Sequence, residues 1–258
     1  TVTTGGVSYE RKVDVTVKPV ADKPLFANGD GEYPEITGVK IGKDGSVPQG
    51  TYDYSVQTNE DVSVGLGLHV PKVKDDGTDP GNNDTPELLG AITLKFNGLA
   101  ADYTPKLQLA NGTDLTPAAD GSFQIVIVNN ATEKTPLDWH LDIGLPDEDT
   151  DNGVHYLTEE QYKGLRVDPA AERHENFKVE VSVDSFEVDA DGKQLDGVSG
   201  ANSKQVIDVK VQAVTAPIEL KIDTDKDTHS YEMDEDTTFN LKDHLTVNYP
   251  DEYVNSHP

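Results

Sequence analysis

The chain has 258 residues, 34% of them hydrophobic, no cysteine, and a formal net charge of -27 from 48 acidic and 21 basic residues. This composition excludes a disulfide framework and thiol chemistry, and it makes a cation a better partner than nucleic acid or an anionic membrane surface. No apolar run approaches the roughly 20 residues that cross a bilayer, so membrane insertion is not expected.

Alternation of apolar and polar residues predicts strands that have one buried and one solvated face. In chain order these segments cover 13–17, 92–96, 123–127, 139–143, 179–183, 206–211 and 218–222. Asn-Gly and Asp-Gly pairs between the segments, such as Asn111-Gly112 and Asp120-Gly121, favour hairpin turns.

One segment, LTEEQYKGL at 157–165, has a helical pattern. Thr158 and Gln161 form a predicted capping box and Gly164 a stop, so a helix of about one or two turns is expected. About nine strands with turn signals between them, and so little helix, predict an all-β fold, an antiparallel β-sandwich with minimal helix.

One acidic phrase of the sequence occurs twice. YSVQTNEDVSVGLGL (54–68) carries Glu60 and Asp61 where YEMDEDTTFNL (231–241) carries Glu235 and Asp236. A strand-like stretch followed by a Pro-containing joint precedes each copy. Such internal similarity is the signature of a repeat architecture.

The length of the repeating unit follows from matched positions. Glu60 and Glu235 are 175 residues apart, and Val17 and Val211 are 194 residues apart, so the unit is about the size of a domain. We therefore expect residues 1–20 to be the closing strand of one repeat. Residues 21–215 would form a complete β-sandwich repeat with inserted loops, and residues 216–258 the opening part of the next.

Four stretches resemble the tandem Ig-like or cadherin-like repeats of giant bacterial RTX adhesins, which are secreted by type I systems. They are the joint VKPVADKP (17–24), the NED and DED phrases, LTEEQYKGLRVDP (157–169) and FKVEVSV (177–183). The resemblance implies Ig-like or cadherin-like β-sandwich units joined end to end and a place on the bacterial cell surface, outside the cell. It also implies calcium ions that stiffen the joints, and a role in adhesion to a surface, a biofilm or another cell.

Two features depart from related patterns. The joint at 215–217 reads Thr-Ala-Pro and lacks the acid that stands at Asp22, and no DxNDN signature of an animal cadherin occurs. The partners that the resemblance implies are the neighbouring repeats of the same chain, and the chain is expected to be monomeric.

Acidic residues in several places are candidate calcium ligands, because calcium takes six to eight oxygens. They are Asp22, Glu60, Asp61, Asp147, Asp149, Asp151, Asp189, Asp191, Asp223, Asp225, Glu235 and Asp236. For the acids of the joint and of the repeated phrase, calcium binding is what the resemblance implies. The alternative there is an acidic strand edge that prevents aggregation.

For the remaining candidates the argument is spacing. The aspartates of PDEDTDNG (146–153) recur every second residue and end at a turn glycine, although the arrangement is not that of an EF-hand. DTDKD (223–227) has the same spacing but contains a lysine. The alternative for both is a solvated acidic loop, and for DADG (189–192) it is an ordinary turn.

A second hypothesis makes the unit a ligand-binding module for a peptide or glycan. The segment 71–90 is twenty residues of turn formers and charge, which is longer than most connections. Aromatic residues that could stack on a sugar are Tyr52, Tyr54, Tyr103, Trp139, Tyr156 and Tyr162. The alternative is an unstructured decoration together with ordinary strand aromatics.

Catalysis is not expected. The sequence has no HExxH motif, no Gly-x-Ser-x-Gly elbow and no phosphate-binding glycine loop. Pairs of carboxylates are so abundant that they carry no information about a glycosidase site without geometry.

Overall fold

The computed structural model describes residues 2–4, 7–9, 12–14, 18–33, 52–73, 86–130, 132, 134, 147–171, 173–214, 219–222 and 233–248. The strands are β1 (Val2–Thr4), β2 (Val7–Tyr9), β3 (Tyr54–Asn59), β4 (Val64–Gly65), β5 (Glu87–Leu89), β6 (Ile92–Asn97), β7 (Lys106–Gln108), β8 (Ser122–Val128), β9 (Val154–Thr158), β10 (Arg166–Asp168), β11 (Phe177–Glu187), β12 (Ala201–Gln212), β13 (Glu219–Ile222) and β14 (Leu245–Asn248). The helical elements are α1 (Glu159–Lys163) and two 3-10 turns, Thr150–Asn152 and Leu241–His244.

Two sheets form the main body of the protein. The larger has the strand order β3-β12-β11-β6-β8-β9, with β5 paired to one end of β11, and the smaller has the order β4-β10-β7. Val167 of the small sheet belongs to the same buried cluster as Val179 and Ile207 of the large sheet. The two sheets therefore enclose one core, and the prediction of an all-β sandwich with minimal helix is confirmed.

The hairpin of β11 and β12 is the longest paired element of the large sheet. It runs from the pair Phe177 and Val209 to the pair Ser185 and Ala201. Inward residues of β11 such as Val181 are fully buried, and each such side chain contributes roughly 1.5–3 kcal/mol to folding. The apolar residues that alternate with polar ones at 179–183 and 206–211 are therefore the buried face of these two strands.

The large sheet is mixed rather than wholly antiparallel. Its central strands pair antiparallel as expected, but β3 lies parallel to β12 and β9 lies parallel to β8. Parallel neighbours cannot be joined by a tight turn and need a longer connection. β3 and β9 are the two edge strands of this sheet. The departure from antiparallel pairing therefore lies at its two edges.

Four turns share one hydrogen-bond pattern, at 28–32, 109–113, 118–122 and 189–193. In each, the first residue donates its N–H to the carbonyl of the fifth, and the glycine at the fourth position donates to the carbonyl of the first. That glycine has positive φ, for example +84° at Gly112, a conformation that costs glycine little. The turns predicted from Asn-Gly and Asp-Gly pairs at these places are confirmed.

The short helix α1 forms where its capping signal predicts. The Thr158 hydroxyl accepts a hydrogen bond from Gln161 N at 3.2 Å, and the Gln161 amide oxygen accepts one from Thr158 N at 2.9 Å. Gly164 ends the helix, and Tyr162 is its buried residue. The capping box therefore fixes where β9 turns into α1.

Some predicted elements lie elsewhere than expected or outside the described residues. Residues 12–14 are not in a strand, and the side chain of Val13 is 81% exposed. In the described part of the chain, the apolar residue of this stretch therefore does not pack against a sheet. Residues 15–17 and the predicted strand at 139–143 lie outside the described residues.

The strand pairings fall into three stretches of the chain. β1 pairs with β2, β13 pairs with β14, and the two sheets of the sandwich are built from β3 to β12. The division into a closing strand, a complete repeat and an opening part remains a prediction.

Candidate functional site

The two copies of the acidic phrase adopt the same turn. In the turn at 59–62 the last residue donates its N–H to the carbonyl of the first at 3.3 Å, and Asp61 has φ +59°. In the turn at 234–237 the equivalent bond is 3.2 Å, and Asp236 has φ +68°. Aspartate tolerates the left-handed region better than most residues because its short side chain can hydrogen-bond locally. The two similar sequence segments therefore also share a backbone conformation.

Glu60 lies at one end of the large sheet, which we call the downstream pole (Glu60, His174 and Val214). It is 5% exposed, and its N–H donates to Gln212 O at 2.9 Å, continuing the ladder of β3 and β12. Its carboxylate accepts a hydrogen bond from Val214 N and lies 3.9 Å from His174 Nδ1. Glu60 therefore fastens the chain at the point where it leaves β12.

Asp22 lies at the opposite end, which we call the upstream pole (Asp22, Glu87, Ser185 and Glu187). Its N–H donates to the Glu87 carboxylate, and its carbonyl accepts from the Ser185 hydroxyl. Glu87 and Glu187 pair directly across β5 and β11, and they are only 3% and 2% exposed. Neither glutamate was predicted from the sequence as a site residue. The signal was present, because Glu187 falls in the same inward phase as Val181 and Val183.

The two poles are far apart. They are separated by the length of β12, which is 12 residues and therefore about 36–40 Å at the usual rise of a strand. Asp22 and Glu60 cannot share an ion within one unit. In the described part of the chain, no group of three or more His, Cys, Asp or Glu side chains is placed to hold a metal ion. The described acids of one unit therefore do not form a complete calcium shell.

The acidic loop before β9 uses its side chains locally. Asp149 caps the 3-10 turn, with its carboxylate accepting from Asn152 N at 3.3 Å and from Asn152 Nδ2 at 2.7 Å. Glu148 pairs with Lys134. Asp147 and Asp151 are exposed. This arrangement corresponds to the alternative of a solvated, capped loop.

The remaining candidate acids are also in turns or outside the described residues. The Asp189 carboxylate accepts hydrogen bonds from Asp191 N and Lys193 N, at 3.0 and 2.9 Å. It therefore stabilises a hairpin turn, which is the alternative given above for the DADG segment. Glu235 is exposed in its turn, as is Asp236. Asp223 and Asp225 lie outside the described residues.

A pocket of about 520 Å³ opens beside the start of the 71–90 segment. Its apolar lining residues are Val70, Pro71, Val73 and Leu89, and its polar lining residues are Tyr33, His69, Lys72, Glu159 and Lys163. The volume lies in the range of small-molecule sites, roughly 300–1,000 Å³. Residues 74–85 of the segment lie outside the described residues.

Close contacts fix the polar groups of this pocket. The Tyr33 hydroxyl donates to Val70 O at 2.6 Å, and Lys72 Nζ lies 4.3 Å from the Tyr33 ring centroid. The His69 ring packs so closely on Gly31 that a Cβ there would be 2.8 Å from Cε1. Burial, and then the charge of Lys163, lowers the pKa of His69, so its imidazole is neutral at neutral pH. Burial, and then the charge of Glu159, raises the pKa of Tyr33.

Most tyrosines proposed for stacking are core residues instead. Tyr52, Tyr103 and Tyr162 are 5%, 2% and 0% exposed. Tyr54 is partly buried and donates to Leu66 O at 2.8 Å. Trp139 lies outside the described residues. Tyr156 is partly exposed and is not among the described residues that line the pocket. Among the described residues, the tyrosine that lines the pocket is Tyr33, which the sequence did not single out because it stands beside a turn and not in an alternating strand.

Neither a protein-family model nor a curated protein matches the sequence significantly. One solved structure is similar, a chaperone-tip adhesion subunit pre-assembly complex (CsuC-CsuE) from archaic chaperone-usher Csu pili of Acinetobacter baumannii. The match has 8% identity and a TM-score of 0.24, and it covers 73% of this chain and 62% of that chain. A likeness at this level carries no argument about function. Within the described residues, no helix is long and apolar enough to cross a membrane.

Proposed function

We propose that this chain is part of a tandem-repeat adhesin on the bacterial cell surface, in which calcium-stiffened β-sandwich units act as an extender. The proposed role is adhesion and biofilm formation and is structural rather than catalytic. The observation that carries the proposal is the repeated turn at 59–62 and 234–237, with Asp61 and Asp236 both at positive φ. A conformation that few residues adopt supports the interpretation of a second copy of the same unit.

Exposed valines near the poles support contact between successive units. Val20 and Val214 are 74% and 44% exposed and are separated by the same 194 residues as Val17 and Val211. Val62, beside the downstream pole, is 52% exposed. Scattered exposed valines are ordinary on their own. Their equivalent positions in successive units fit a joint that is buried only when units are stacked.

Calcium, in this proposal, lies between units. Glu60 and Asp61 stand at the downstream pole and face the following unit, and Asp22 stands at the upstream pole and faces the preceding unit. Ala216 occupies the position equivalent to Asp22 in the following unit, so the shell beside Glu60 draws its remaining oxygens from other groups of that unit. Each pole contributes part of an oxygen shell, which is consistent with the absence of a complete cluster among the described acids. The neighbouring repeats are then the main partners, and no nucleic acid takes part.

The test is calcium binding by residues 1–258, measured by isothermal titration. We expect dissociation constants of about 10⁻⁴ to 10⁻³ M, the range of extracellular modules, and weaker binding in Glu60→Ala. The matched control is Glu160→Ala, since Glu160 is an exposed acid on α1. Absence of calcium binding, or equal loss in both variants, would contradict the proposal.

A ligand-binding module of the same kind of adhesin is the second candidate function. The pocket beside the 71–90 segment favours it.

A further inference from the structure

The pocket beside the 71–90 segment is lined by both apolar and hydrogen-bonding side chains. Leu89 is 1% exposed and belongs to the core, so the pocket borders the core of the sandwich. The polar lining residues come from three separate places: Tyr33, the stretch 69–73, and α1. A site anchored on packed elements holds its shape better than one built on loops alone.

Among the described residues that line the pocket, one positive charge has no negative partner. Lys163 and Glu159 neutralise each other as an i,i+4 ion pair on α1. His69 is neutral, because burial and Lys163 lower its pKa. Lys72 lies over the Tyr33 ring and has no ion pair with any acid of the described part of the chain. Within the described residues, a lysine that lines a pocket and has no ion pair favours a ligand with one negative charge.

The main chain at the pocket is already occupied. Lys72 N donates to Leu25 O at 2.9 Å, and Leu25 N donates to Lys72 O at 2.8 Å. The Val70 carbonyl accepts the Tyr33 hydroxyl. An extended peptide is usually recognised by pairing with a free strand edge, and these contacts remove that option at Lys72. Recognition therefore falls to the side chains.

The side chains suit a sugar. The neutral His69 imidazole can both donate and accept, the Glu159 carboxylate accepts from hydroxyls, and Lys163 donates. Val70 and Val73, which are both partly exposed, offer an apolar surface for the face of a ring. We propose that this pocket binds a saccharide that carries a carboxylate, with Lys72 as the residue that pairs with that carboxylate. The site depends neither on calcium nor on the stacking of units, so it can fail or hold independently of the proposed extender function.

The experiment is a titration of isotope-labelled residues 1–258, followed by amide chemical shifts. The probes are glucuronic acid, galacturonic acid and N-acetylneuraminic acid, with glucose and galactose as neutral counterparts and an acetylated dipeptide with a free carboxylate as the peptide probe. We expect at least one acidic sugar to shift resonances of 69–73 and 159–163. Its affinity should exceed that of the neutral sugars by about tenfold, the ratio that corresponds to one ionic contact.

Two lysine variants make the test specific. Lys72→Gln is expected to weaken binding of the acidic sugar at least fivefold, whereas Lys210→Gln is expected to leave it unchanged, since Lys210 is an exposed lysine of β12 that does not line the pocket. An unchanged amide spectrum away from the pocket shows that each variant is folded. The proposal is overturned if no acidic sugar binds at about 20 mM, if neutral sugars bind equally, if both variants behave alike, or if only the dipeptide binds.

Discussion

Glu60 shows at the scale of a single residue how an acid can be part of the framework of this protein. Its carboxylate is buried and accepts a hydrogen bond from the backbone at Val214. Removing it in Glu60→Ala should destabilise the fold by about 1–2 kcal/mol, because a hydrogen bond to a charged group is lost and Val214 N must find water instead. Urea denaturation measures the change.

Two further variants test the cause. Glu60→Gln keeps an acceptor oxygen, so its loss should be smaller than that of the alanine variant. Glu160→Ala, on the exposed side of α1, should change the free energy of unfolding by less than about 0.5 kcal/mol. Equal effects of Glu60→Ala and Glu160→Ala would show that the contact with Val214 contributes nothing.

Asp120 gives a pH-dependent contribution at the same scale. Its carboxylate accepts from the Ser122 hydroxyl at 2.6 Å and from Ser122 N at 3.1 Å. Together with Lys95, these hydrogen bonds lower the pKa of Asp120 to about 2. An unfolded aspartate has a pKa of about 3.9. The folded state therefore prefers the ionised form, and the stabilisation is complete above about pH 4 and disappears as the pH falls towards 2.

The measurement is the difference in unfolding free energy between the protein and Asp120→Ala, followed from pH 6 to pH 2. We expect the difference to be constant at the upper end and to shrink below about pH 4. Asp196→Ala, at an exposed aspartate, is the matched control. A difference that stays constant down to pH 2 would contradict the role of the Ser122 contacts.

At the scale of elements, the contact between the start of β9 and the turn at 118–122 can be tested through glycine. Gly153 has φ +81°, and a Cβ there would overlap the backbone of Ala118, with its Cα at 2.9 Å. Gly153→Ala should cost about 2–4 kcal/mol, since strain and overlap add. Gly112 has φ +84° with open space around it, so Gly112→Ala should cost only about 1–2 kcal/mol.

Thermal melts of the two alanine variants measure the comparison. The difference in melting temperature between the two variants reports the overlap with Ala118, because both glycines have nearly the same positive φ. A Gly153→Ala protein as stable as Gly112→Ala would mean that β9 does not pack against that turn.

Local patterns predicted the elements whose causes are local. The alternation at 92–96, 123–127, 179–183 and 206–211 identified β6, β8, β11 and β12, and the capping box identified α1. Alternation does not encode the direction of a neighbouring strand, so the parallel partners β3 and β9 were not foreseen. β4 and β10 have two and three residues, which is too short for any periodicity to show.

Burial of the tyrosines depended on distant contacts. Tyr103 packs edge-on against Phe177 with ring centroids 5.5 Å apart, and Tyr52 packs against Phe26 at 5.8 Å. Neither partner is near in sequence. The pocket also depends on contacts between residues that are distant in sequence, because Tyr33, Lys72 and α1 come together only in the folded chain. Sequence could suggest that the 71–90 region binds something, but not which residues would line the site.

At the scale of the whole molecule, the net charge of -27 is the dominant physical fact. Like charges repel one another in a compact state, and a cation that binds only the folded state adds stability by mass action. At ten times the dissociation constant, one site contributes about 1.4 kcal/mol. For a protein of this size that raises the melting temperature by roughly 3–6 °C per site.

The most direct measurement is therefore a thermal melt of residues 1–258 in EDTA and through a calcium titration, with magnesium as the control. The account predicts a calcium-specific rise of several degrees that saturates near millimolar calcium and is reduced in Glu60→Ala but not in Glu160→Ala. A melting temperature that does not change with calcium, or that rises equally with magnesium, would contradict calcium-stiffened units and leave the acids as surface charge.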